Sequence, residues 1–241
     1  MTAQTAVVLL AGGSGTRMQR TENKVYLQVG GRTLLAWSLS VFERSPLVDH
    51  IVLVVRQGDE DRAQAIVDEV GARKLSSVVR GGATRHDSEQ AGLEALAAPI
   101  AAGEVGLVCI HDAARPFVTQ DLLARIVMTA SEVGGAVPGL PLEGEFLLRA
   151  EGTDTAPTPV ATGDLRRVQT PQAFHAAPLL EAYRRASEEG FHGVDTAESV
   201  ERFSDLEVRI VTGDSDNVKV TYLEDLVTAE ELARSWSAKE P

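Results

Sequence analysis

Residues 5–18, TAVVLLAGGSGTRM, decide how the rest of the chain is understood. An aliphatic run ends in Gly12, Gly13 and Gly15 and passes directly to basic side chains, Arg17 first and Lys24 a little further on. A strand, a glycine turn and then a helix place backbone N–H groups where an anion can approach them closely. Outward from this stretch the same alternation continues. The short runs HIVLVV (50–55), SSVV (76–79), VGLVCI (105–110) and EVRIVT (207–212) are interleaved with amphipathic segments at 33–44, 59–70, 85–97 and 120–133. Continuous apolar strands separated by helices predict an α/β, Rossmann-like doubly wound fold, with a mostly parallel sheet covered by helices on both faces. Residues 1–241 are expected to form a single domain. The alternation breaks at about 138–162, where Pro138, Pro141, Pro157 and Pro159 predict an excursion from the sheet, a protruding β-arm.

Bulk composition narrows the function classes. The 241 residues carry a net charge of −12, which argues against a sequence-independent grip on nucleic acid, because that needs a broadly basic face. Basic clusters must then serve locally. The single cysteine, Cys109, excludes an intramolecular disulfide and sits in an apolar run where a buried thiol is expected. No apolar segment approaches the ~18 residues needed to cross a bilayer, so a cytoplasmic protein with no membrane partner is expected.

In doubly wound sheets ligands bind beyond the carboxyl ends of the strands, which directs attention to residues 11–24, 111–116 and 213–221. The glycine bend is neither of the common phosphate loops. No Gly-Lys-Ser/Thr follows it, and Met18 stands where the dinucleotide fingerprint needs its last glycine. A guanidinium and an ammonium beside such a bend do suit phosphoryl transfer, whose transition state gathers negative charge. In DSDNVKVT (214–221), Lys219 alternates with Val218 and Val220, so on a strand it would point away from them and require an anion.

Several stretches together identify a family. LLAGGSGTRM with Lys24-Val25-Tyr26-Leu27, GGATRHDSEQAGL (81–93), HDAARPF (111–117), QTPQAF (169–174) and DNVKVTYLEDL (216–226) resemble the 2-C-methyl-D-erythritol 4-phosphate cytidylyltransferase family from residue 5 to about residue 232. The resemblance implies transfer of a cytidylyl group from CTP to 2-C-methyl-D-erythritol 4-phosphate, with loss of pyrophosphate, assistance by Mg²⁺ and assembly as a homodimer. It implies catalytic roles for Arg17, Lys24 and Lys219. It implies nucleotide binding by Ala11, Gly12, Gly13, Gly15, Gly82, Arg85, Ser88 and Asp112. Asp112, directly after an apolar strand, and Asp216 are the implied metal ligands, although an aspartate before a strand also caps turns. Arg115, Thr170, Asp195 and Lys219 fall at the acceptor phosphate, Arg115 either binding it bidentately or pairing with a carboxylate. His111 is expected to pack rather than react.

The acceptor half departs from the family pattern. The arm segment PLEGEFLLRA (141–150) lacks the family's Asp-Thr pair and following lysine, Val194 stands where a phosphate-binding threonine is expected, and Thr162 occupies the place of an arginine that reaches across the dimer; in the nucleotide half, Asn23 replaces the usual proline before Lys24 and Val25 the usual glutamine after it. These changes keep open a related cytidylyltransferase for ribitol 5-phosphate or another polyol phosphate, and a catalytically weak nucleotide-binding paralogue.

Overall fold

The computed structural model describes residues 3–13, 23–142 and 165–236, and the backbone of residues 147, 148, 158, 159 and 237. Strand β1 (Gln4–Ala11) lies inside the sheet, parallel to β4 (His50–Val55) on one side and to β6 (Val105–Asp112) on the other. Beyond β4 the sheet ends in β5 (Leu75–Arg80), also parallel. The order is β10 (Arg166–Val168), β7 (Gly134–Pro141), β11 (Gln172–His175), β6, β1, β4, β5, with β12 (Glu207–Thr212) pairing β7 in parallel. Two short strands run against the rest: β11 (Gln172–His175), wedged between β6 and β7, and β10 (Arg166–Val168), paired with the end of β7. The mostly parallel sheet expected from the sequence is therefore present with an antiparallel insertion.

Alternation along β1 sorts side chains to two faces. Val7, Leu9 and Ala11 join α1 (Leu34–Arg44), α2 (Glu60–Val70) and α5 (Gln120–Val133) in one apolar cluster. Ala6 and Val8 join Leu93 of α3 (Arg85–Glu94), Ile100 of α4 (Ala97–Ala101), Tyr183 of α6 (Ala176–Glu188) and Val200 of α7 (Thr196–Phe203) in the other. Helices thus cover both faces. A third cluster packs α8 (Asp225–Ser237) against Trp37, Phe117 and Val29, the last in the hairpin of β2 (Gln28–Val29) and β3 (Arg32–Thr33). Among the described residues no helix is long and apolar enough to cross a membrane.

The excursion expected from residue 138 starts later. Residues 138–141 complete β7, which α5 enters directly through Gly134 at φ 116°, a backbone angle that side chains rarely adopt. Beyond it, β8 (Leu147–Leu148) and β9 (Thr158–Pro159) pair antiparallel as a separate two-stranded ribbon, in keeping with an arm. The strand expected around Lys219 is absent. Residues 217–221 are irregular backbone, tied to the sheet by Val220 N–H donating to the Ala114 carbonyl at 2.9 Å.

Candidate active site

The carboxyl ends of β1, β5 and β6 open onto one cavity of about 320 Å³. Gly12 and Gly13 line it from the end of β1, and an added Cβ at Gly13 would meet nothing within 4 Å. Lys24 joins them from a single 3₁₀ turn (Lys24–Tyr26), capped by Asn23. Asn23 is 1% exposed and donates through Nδ2 to the Ala11 carbonyl at 2.6 Å and to Asp59 Oδ2 at 3.2 Å, so it clamps the two ends of the glycine bend together. The departure from proline at this position thus leaves Lys24 firmly seated.

The second wall is the start of α3. Thr84 caps it: the hydroxyl accepts from Asp87 N–H at 3.1 Å while Thr84 N–H donates to Asp87 Oδ2 at 2.9 Å. Gly81 and Gly82 are required by this packing, since a Cβ would fall 2.6 Å from Ser88 Oγ and 2.2 Å from Asp87 Cβ respectively. Gly82, Arg85 and Ser88 all line the cavity, and the positive end of the α3 dipole favours an anion there.

Asp112 closes the floor. Its Oδ2 accepts from Lys219 Nζ at 2.6 Å and its Oδ1 lies 3.4 Å from Arg85 Nε. Burial alone would raise its pKa, but the charges of Arg85 and Lys219 outweigh it and hold the carboxyl well below the usual carboxylate range. The site therefore presents an ionised carboxylate flanked by two cations. Lys219 reaches it because Asn217, fully buried, donates through Nδ2 to the Thr170 carbonyl at 2.9 Å and fixes the segment.

Three expected acceptor residues are not among the side chains lining this cavity. Thr170 is 3% exposed; its hydroxyl accepts from Asp112 N–H at 3.1 Å and lies 3.1 Å from His111 Nδ1, so it braces β6 instead of facing the cavity. His111 Nε2 is 3.0 Å from the Arg115 carbonyl, and the Thr170 O–H donor then fixes the neutral tautomer with its proton on Nε2. Burial lowers this imidazole to about 4, as its packing role requires. The Arg115 guanidinium donates to the Asn217 carbonyl at 2.8 Å and the Val168 carbonyl at 3.4 Å, and among the described residues it forms no ion pair with a carboxylate. Asp195 caps α7 through Ala197 N–H at 3.0 Å and receives Gln172 Nε2 at 2.9 Å, with Arg85 Nη1 at 4.0 Å.

Asp216 does not line the cavity; its backbone N–H donates to Asp214 Oδ1 at 2.9 Å, so the carboxylate capping this turn is that of Asp214. Among the described residues no group of three His, Cys, Asp or Glu side chains is arranged to hold a metal. Mg²⁺ usually needs only one or two carboxylates, with substrate phosphates and water completing its shell, so Asp112 alone fits that chemistry. Arg17, Gly15 and Thr162 lie outside the described residues. Val194 is 85% exposed, its backbone N–H donating to Glu198 Oε2 at 2.8 Å. Sequence reasoning missed Gln172, Asn217 and Glu89, which act from behind the cavity wall.

Comparison with known proteins agrees with this geometry. The family model described as IspD: 2-C-methyl-D-erythritol 4-phosphate cytidylyltransferase matches residues 5–235. A 2-C-methyl-D-erythritol 4-phosphate cytidylyltransferase of Geobacter metallireducens is 43% identical over 221 residues, 91% of this chain and 93% of that protein. That of Geobacillus kaustophilus is 37% identical over 232 residues, 96% and 98% of the two chains. Among solved structures, the Thermus thermophilus enzyme of the same name superposes with a TM-score of 0.74 at 34% identity, covering 94% of this chain and 98% of that one. The 4-diphosphocytidyl-2C-methyl-D-erythritol synthase of Anaerococcus prevotii superposes at 0.79 with 27% identity, covering 96% of each.

Proposed function

The chain belongs to the 2-C-methyl-D-erythritol 4-phosphate cytidylyltransferase family, and from that premise we propose that it transfers a cytidylyl group from CTP to 2-C-methyl-D-erythritol 4-phosphate, a step of isoprenoid precursor synthesis by the non-mevalonate pathway. The observation that carries this reading is the convergence of Lys24, Arg85 and Lys219 with Asp112 on one cavity at the strand ends.

A phosphate oxygen of the acceptor attacks the α-phosphorus of CTP, forming a new P–O bond. The bond from that phosphorus to the bridging oxygen breaks, and its electron pair leaves with pyrophosphate. The nucleophile is already an anion, so no general base is needed. Lys24, together with Arg17, holds the triphosphate and offsets charge as it shifts onto the leaving group. Lys219, seated on Asp112, meets the phosphate on the acceptor side. Backbone N–H groups of the glycine bend and the α3 N-terminus orient the nucleotide. Mg²⁺, held by Asp112 and the phosphates, would supply further charge neutralisation.

We further infer a homodimer acting in the cytoplasm, where CTP is available. Light scattering behind a sizing column tests the dimer.

The activity is tested by pyrophosphate release from CTP with each acceptor. Release with 2-C-methyl-D-erythritol 4-phosphate, and little with ribitol 5-phosphate, is expected. Preference for ribitol 5-phosphate would reassign the acceptor, and CTP binding without release under any acceptor would make the chain a nucleotide-binding paralogue.

A further inference from the structure

Glu89 is a carboxylate that the transfer chemistry does not use, yet it lies directly behind the cavity wall on α3, one turn after Arg85, at 1% exposure. A buried carboxylate is costly unless its oxygens are satisfied. Here both are. Oε1 accepts from the Thr196 hydroxyl at 2.7 Å and lies 2.8 Å from Arg85 Nη1, and Oε2 accepts from the Tyr183 hydroxyl at 2.5 Å. One side chain thus gathers donors from α3, α6 and α7.

Stability alone does not account for a charge in this place, because well-packed apolar residues usually serve as well or better than a buried ion pair. What the charge does is divide a guanidinium. Arg85 spans Glu89 on the inner side, Asp112 at 3.4 Å in the cavity and Asp195 at 4.0 Å. Without Glu89, Arg85 would be drawn wholly to Asp112 and Asp195, and Asp112 would be more fully neutralised. Thr196, the first residue of α7, follows the cap Asp195, so the same carboxylate also anchors that turn.

We propose that Glu89 is a positioning residue for cytidylyl transfer, fixing the Arg85 guanidinium beside Asp112 and tying Asp195 to the same wall through Thr196. The inference rests on the functional reading above and extends it to a residue that touches no substrate.

The test is Glu89→Gln, nearly isosteric, made in the wild-type chain and in Arg85→Ala, with pyrophosphate release and thermal midpoint recorded for each. A misplacement of this kind is expected to lower kcat/KM by about tenfold or more in the wild-type background and to add nothing once Arg85 is gone. Thr196→Val, which frees the same Glu89 oxygen, is expected to show a smaller loss with the same dependence on Arg85. Equal losses in both backgrounds, or a lower midpoint with turnover unchanged, would overturn the proposal. Wild-type protein that releases no pyrophosphate would reject the functional reading instead. In that event exchange of the Arg85 Nη1 protons, which face Glu89 at 2.8 Å, followed by NMR, still decides: Glu89→Gln is expected to accelerate it, and unchanged exchange overturns the positioning role.

Discussion

β1 and β4 bury nearly every residue, whereas β10 is exposed throughout and β12 along most of its length, although all four belong to one sheet. The first pair sits between two helical layers and is held by apolar packing on both faces. The second pair flanks β7 and relies more on backbone pairing and on polar locks, such as Gln169 Nε2 donating to the Asp214 carbonyl at 2.7 Å. The well-packed half supplies the glycine bend, Lys24 and α3. The polar half sends in Lys219. A transfer reaction between two phosphates draws on both, and Asp112 stands where they meet.

The largest effect is expected at the meeting point. Lys24→Ala and Lys219→Ala, one from each half, should each lower kcat/KM by roughly two to three orders of magnitude with little change in thermal midpoint, since each removes charge stabilisation in a cavity. Arg17→Ala should fall in the same range. If only one half of the sheet mattered to the chemistry, one of the two lysine variants would retain near-normal turnover in the pyrophosphate assay.

Next comes the core. Leu53 in β4 is fully buried, and Leu53→Ala should cost about 2–5 kcal/mol in urea unfolding. The seam between the halves should be sensitive to acid. His111 is held neutral by burial, its pKa lowered from 6.5 to about 4, so the unfolded chain takes up a proton more readily than the folded one. The stability it contributes is complete above about pH 6.5 and is lost as pH falls toward about 4, an effect of roughly 2–3 kcal/mol. Urea unfolding across that range checks it, and His111→Gln should flatten the slope. The smallest effect is expected at the outer edge: Ile210 in β12 is 59% exposed, and Ile210→Thr should change unfolding free energy by no more than about 0.5 kcal/mol. A cost equal to that of Leu53→Ala would erase the distinction between the halves.

The same contrast explains what could be foreseen. The runs that became β1, β4 and β6 are continuous and apolar because they are buried on both faces, and that leaves a plain mark in sequence. β7, GGAVPGLP, carries no such mark. It is nonetheless an interior strand, and its glycines answer to neighbours: a Cβ at Gly135 would lie 2.8 Å from the Phe174 ring of β11. Lys219 was legible as a charge requiring a partner, but not as part of an irregular segment, because Asn217 and Val220 fix it through contacts with Thr170 and Ala114 far away in the chain. Glu89 stands four residues after Arg85, a spacing that brings the two together on a helix. Its burial was hidden, since it depends on Tyr183 and Thr196, 94 and 107 residues further on. Thr170 and Arg115 show the reverse: motif residues whose side chains also brace the scaffold, through Asp112 N–H and the Asn217 carbonyl.

The central claim is that a lysine from each half closes on a single nucleotide. Acylation of lysine amines with increasing CTP, quantified by mass spectrometry, tests it directly, with Lys74 at the opposite end of β5 as the unprotected control. The account predicts that Lys24 and Lys219 lose reactivity together along one binding curve. Protection of one while the other stays as reactive as Lys74 would contradict it.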